Sequence, residues 1–187
     1  QYRFSGSYTY RENERPDGRT FKATDKYDGT FIYRRPFSER WFFQNALGGR
    51  VDQIKGIDYE IQELLGLGYS FKPAKTLELV VGAGGGGEYL EANFEPGTSG
   101  SLEPVMNVFQ EFKWKPIERT SLSQEFSYYW SPDEASAYNY VLKAALRIRL
   151  TDLFGLEFSF NQEFDNDIGP NEVEEDSQWR NALVVYF

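Results

Sequence analysis

The side chains best spaced for chemistry are charged. Lys143, Arg147 and Arg149 fall at even intervals in one run, Glu157 and Glu163 in the next, and Glu125 in the run before. Even spacing puts side chains on one face of a β-strand. Cations and carboxylates on facing strands can pair and fill an interior, or line a narrow polar passage whose charges set ion preference. Glu157 and Glu163, on one face, are also within reach of a carboxylate-only hydrolytic pair. The rest of the sequence argues against that last use. With no histidine, no Ser-His-Asp arrangement can be assembled; with no cysteine, there is neither a disulfide framework nor a thiolate metal site. No catalytic, cofactor-binding or metal-binding residue is therefore assigned, and the chain is expected not to be an enzyme. The net charge of -9 leaves no basic face for nucleic acid.

Two further stretches invite a chemical reading. Gly82-Ala83-Gly84-Gly85-Gly86-Gly87 lacks the Lys-Ser/Thr of a phosphate loop, and no helix follows it. Glycines inside a strand instead mark a bend, a bulge or a place where a bulky neighbour must fit. The acidic stretch 165–177 holds Asp165, Asp167, Glu172, Glu174, Glu175 and Asp176. Its oxygens suit a hard cation such as calcium, or a divalent bridge to lipopolysaccharide phosphate, but no complete cation-loop pattern is present.

The elements that must position these residues alternate almost everywhere. Phe154, Leu156, Phe158, Phe160 and Phe164 occupy one face of a run in which Gly155, Glu157, Ser159, Asn161 and Glu163 occupy the other. Over 138–150, Tyr138, Tyr140, Leu142, Ala144, Leu146, Ile148 and Leu150 alternate with Asn139, Lys143, Arg147 and Arg149. Eight other runs read the same way, at 2–11, 20–36, 40–53, 58–72, 75–91, 104–115, 119–131 and 176–187, with polar breaks on the apolar face at Asn45, Glu63 and Gln124. Most are longer than the five or six residues usual for a soluble strand, and long enough for the 9 to 11 that a tilted membrane strand needs.

The connections alternate too. Short ones hold Pro36–Arg40, Lys72–Lys75, Lys115–Glu118 and Thr151–Leu153, while the longer ones include 11–19, 92–103 and 165–175. Short periplasmic turns and longer outer loops are the asymmetry of bacterial outer-membrane barrels. Aromatics make up 18% of the chain, as such girdled barrels require, and no apolar run approaches the length of a membrane helix. The expected fold is all-β, an antiparallel up-and-down transmembrane β-barrel of about ten strands over a single domain, 1–187, located in the bacterial outer membrane. Lys143, Arg147, Arg149, Glu125, Glu157, Glu163, Arg50 and Arg180 then line the lumen, joined by Lys22, Lys26 and Asp52, and Phe154, Phe158, Phe160, Leu146 and Ile148 face lipid. A soluble barrel carrying an apolar ligand requires the reverse, apolar side chains inside. A scaffold that docks another envelope protein through its loops or lipid face is the remaining alternative.

The last strand carries a pattern of its own. Arg180, Ala182, Val185 and the terminal aromatic Phe187 resemble the signal that barrel-assembly machinery reads, with Ala182 where that pattern prefers Gly. Expected partners are thus outer-membrane lipid and lipopolysaccharide, the assembly machinery and another envelope protein. Glu39-Arg40-Trp41-Phe42-Phe43, Gly66-Leu67-Gly68-Tyr69-Ser70-Phe71, and the ending from Leu150-Thr151-Asp152-Leu153 through Asp176 to Val185-Tyr186-Phe187 resemble the domain of unknown function 481 family. Some of its members are described as salt-induced outer-membrane proteins. The resemblance implies an envelope location and brings no activity or site residues. It also implies up to twelve strands, with a further hairpin ahead of Gln1.

Overall fold

The computed structural model describes residues 1–14, 20–53, 56–92, 100–133, 137–166 and 175–186, and within β1 and β2 not the side chains of 9, 11–14 and 20–24. Ten strands follow one another: β1 (Tyr2–Glu14), β2 (Thr20–Pro36), β3 (Trp41–Asp52), β4 (Ile57–Ala74), β5 (Leu77–Ala92), β6 (Ser101–Ile117), β7 (Thr120–Trp130), β8 (Tyr138–Arg149), β9 (Phe154–Asp165) and β10 (Glu175–Val185). They form one sheet in chain order, β1 to β10, and every register given for it is antiparallel. The all-β, up-and-down meander expected from the alternation is what the chain adopts.

Short connections close by local chemistry. In the turn before β3, the Ser38 hydroxyl accepts a hydrogen bond from Trp41 N at 3.0 Å, while Phe37 N donates to Trp41 O at 3.1 Å. The turn before β9 repeats the device: Thr151 Oγ1 accepts from Phe154 N at 3.0 Å, and Leu150 N donates to Phe154 O at 2.9 Å. Hydroxyl side chains compete for backbone donors in this way and fix tight turns. Gly56 takes φ 64°, in the left-handed region that L side chains avoid.

The residues pack as two compact units. One comprises 1–35, 43–66 and 85–105; the other comprises 36–42, 67–84 and 106–187. Strands β7 to β10 lie wholly in the second, with β6 from Met106 onward. In β6, Val105, Asn107, Phe109 and Glu111 are all buried, whereas Met106, Val108 and Trp114 on the other parity are about two-fifths exposed. One face of β6 is therefore packed and mixed in polarity, and the other is apolar and exposed. The register carries that apolar face onward to Phe126, Leu142, Leu146, Phe158, Trp179 and Leu183. Strands with charged side chains on one face and exposed apolar side chains on the other, as in β6, invert the pattern of a soluble barrel.

Candidate functional site

Antiparallel pairing extends the buried face of β6 across β7 to β10 as rows of side chains that share one face of the sheet. The row nearest the longer connections holds Asn107, Tyr129, Asn139 and Asp165. Next come Phe109, Ser127, Val141, Glu163 and Asp176, then Glu111, Glu125, Lys143, Asn161 and Gln178. A fourth row holds Lys113, Ser123, Ala145, Ser159 and Arg180. Toward the short turns follow Ser121, Arg147, Glu157 and Ala182, and finally Arg149, Gly155 and Val184. Seven of the eight side chains expected at the lumen fall in these rows: Glu125, Lys143, Arg147, Arg149, Glu157, Glu163 and Arg180.

Several of the charges are paired. Arg147 Nε donates to Glu157 Oε2 at 2.8 Å, and its Nη2 reaches the same oxygen. Lys143 lies directly across from Glu125. Lys113 Nζ is 3.9 Å from Glu111 Oε2, and Lys72 Nζ is 2.9 Å from Glu78 Oε1. Glu163, grouped with the cations by spacing alone, instead stands between Val141 and Asp176. Arg149 turns to the short connection: it donates to the carbonyls of Thr151 at 3.2 Å and Asp152 at 2.8 Å, and its guanidinium lies 4.7 Å from the Tyr186 ring centre. It ties the β8–β9 turn to the end of the last strand. At another short turn, the Tyr69 hydroxyl 3.0 Å from Arg40 Nη1 raises the Arg40 guanidinium above its ordinary value.

The first unit has its own charged set. Arg50 Nη2 lies 2.5 Å from Glu60 Oε2, Asp52 is buried two residues on, and Gln62 donates to Glu88 at 2.6 Å. Arg34 donates to the buried Gln44 at 2.7 Å. Asn45 and Glu63, breaks in an apolar face by sequence, meet each other at 2.9 Å. Pairing them limits the cost of setting polar groups among apolar ones. Here, too, an open hollow of about 440 Å³ runs over Gly6, Gly29 and Gly49 beside the stacked rings of Tyr8 and Tyr27.

A family model matches residues 1–187, and its description is a protein of unknown function, DUF481. The chain belongs to the DUF481 family. No curated protein matches the DUF481 chain in sequence. Among solved structures, the NanC porin in a rhombohedral crystal form aligns with a TM-score of 0.57 at 9% identity, over 100% of the DUF481 chain and 97% of the porin chain. At that identity the likeness is one of fold, and the DUF481 chain has the β-barrel fold of a porin.

Several packed residues of the DUF481 chain escaped the sequence reading. Phe42, Val80 and Phe109 form a buried cluster in the second unit. A Cβ on Gly68 would fall within the Phe42 ring, and one on Gly82 within the Phe109 ring, so both glycines are where aromatic rings press on the sheet. At Gly86 a Cβ would collide with the Glu63 carbonyl. The glycine-rich stretch is thus a set of close approaches. The odd positions of β6, Asn107, Phe109, Glu111 and Lys113, carried a readable signal in their alternation with Met106, Val108, Phe112 and Trp114. Of the expected assembly residues, Arg180 and Ala182 are exposed on the face that carries the charged rows, and Val185 pairs with Phe154 on the other. Phe187, most of the acidic stretch 165–177 and the Lys22 side chain lie outside the described residues.

Proposed function

We propose that this protein is a narrow, non-enzymatic channel of the bacterial outer membrane, with the charged rows of β6 to β10 as part of its lumen. The observation that carries the reading is the division of the two faces. Charged, hydrogen-bonding side chains occupy one, while Phe154, Phe158, Trp179, Leu183 and Val185, each at least two-fifths exposed, occupy the other. Exposed apolar area on that scale needs lipid or a partner to cover it. The porin fold and the family support an envelope location. Water in the lumen would hydrate the cations and carboxylates, and pairs such as Arg147–Glu157 would set which ions enter. Outer-membrane lipid and lipopolysaccharide then cover the apolar face, and the assembly machinery reads β10 through Arg180, Ala182, Val185 and Phe187.

The test is conductance of the refolded chain in a planar bilayer. Discrete openings are expected, with selectivity shifted toward cations by Arg147→Glu. A chain that is folded, as judged by a heat-dependent gel shift, yet electrically silent would overturn the channel reading and turn attention to a scaffold docking another envelope protein.

A further inference from the structure

The rows of β6 to β10 are sorted by sign along the strands. Among the described residues, the two rows nearest the longer connections hold Asp165, Glu163 and Asp176 and no cation. The third is mixed, with Glu111, Glu125 and Lys143. The fourth holds Lys113 and Arg180 and no carboxylate. Beyond it, Arg147 and Arg149 face the single carboxylate Glu157. The first unit, taken alone, is not sorted in this way: Arg34 sits near the short turn that follows β2, while Lys26 and Arg50 lie with Asp52, Glu60 and Glu88 toward the longer connections, so the sorting belongs to β6 to β10.

We propose that this axial sorting makes the channel a rectifier of small-ion current. The inference rests on the channel reading above. With the long-connection side positive, cations enter through acidic rows and anions enter from the other side through basic rows. Both kinds of carrier accumulate, and current is high. With the potential reversed, each ion meets its own sign first, the passage is depleted, and current falls. Screening sets the conditions, since the Debye length is about 10 Å at about 0.1 M salt and about 3 Å at about 1 M. The sorted charges reach across a narrow lumen only in the dilute case.

The experiment is a single-channel current–voltage curve of the full chain. Orientation is scored by one-sided thiol labelling of Ala74→Cys, because the chain has no cysteine of its own. The expected result is a larger current with the long-connection side positive in about 0.1 M salt, converging on equal currents in about 1 M. The pair Glu163→Gln and Asp176→Asn should bring the ratio of currents close to one. Lys113→Gln with Arg180→Gln should do the same from the basic end, so a folding failure in one pair, detected by its gel shift, leaves the other decisive. Openings with equal currents in dilute salt, or with the larger current at the opposite polarity, would overturn rectification and leave the channel standing. A folded chain with no openings would overturn both.

Discussion

Glycine serves opposite ends at two sets of positions, one in each unit. In the second, Gly68 and Gly82 are covered: the rings of Phe42 and Phe109 occupy the space a Cβ would need. In the first, Gly6, Gly29 and Gly49 would meet only a backbone carbonyl oxygen, at 3.4, 3.9 and 3.8 Å, and the space above them is open. The covered glycines let aromatic rings pack against a β-sheet and build a dry patch on the charged face. The open ones leave a hollow between Tyr8, Tyr27 and Val51. The same residue type is thus a packing requirement at Gly68 and Gly82 and dispensable at Gly6, Gly29 and Gly49, a distinction set by what the neighbouring strand brings across.

Substitutions sharpen that contrast, and their expected effects decline in order. Phe109→Ala removes the ring from a buried cluster and should cost about 3 to 5 kcal/mol, read from the denaturant midpoint in lipid vesicles. An unchanged midpoint would mean that the cluster does not pack as described. Gly68→Ala forces Phe42 off its site, and a loss of about 1 to 3 kcal/mol is expected for such overpacking. Gly49→Ala sits in open space in a strand interior and should instead stabilise by about 0.5 to 1 kcal/mol. If Gly49→Ala and Gly68→Ala proved equally harmful, the distinction between open and covered glycines would fail.

Much of this fold was legible because its signals are local. Alternation and connection length are read within a dozen residues, and they gave all ten strands with ends displaced by a few positions. The Arg147–Glu157 pair was legible for the same reason: the two residues lie equidistant from Asp152 in a short turn, so any tight closure brings them together. Glu163 and Asp176 were harder. They face each other across a long connection whose length does not dictate register, and Asp176 reads as one more acid in a run of acids. Phe42 over Gly68 and Phe109 over Gly82 were out of reach, since each depends on how a ring settles across a strand pair. The pairing of Asn45 with Glu63 is similar: each looks like a fault in an apolar stripe until the strands are aligned. The sign sorting of these rows follows from register, and so emerges only once β6 to β10 are set side by side.

The central claim is that one face of these strands meets water and the other meets lipid. Since the chain has no cysteine, a single cysteine can be placed in turn at each position from Leu142 to Arg149 and exposed, in reconstituted vesicles, to a small membrane-impermeant thiol reagent. The account predicts fast labelling at 143, 145, 147 and 149 and slow labelling at 142, 144, 146 and 148, the period of two that a strand imposes. Uniform labelling along β8, or fast labelling at 146 and 148 with protection at 143 and 147, would contradict it.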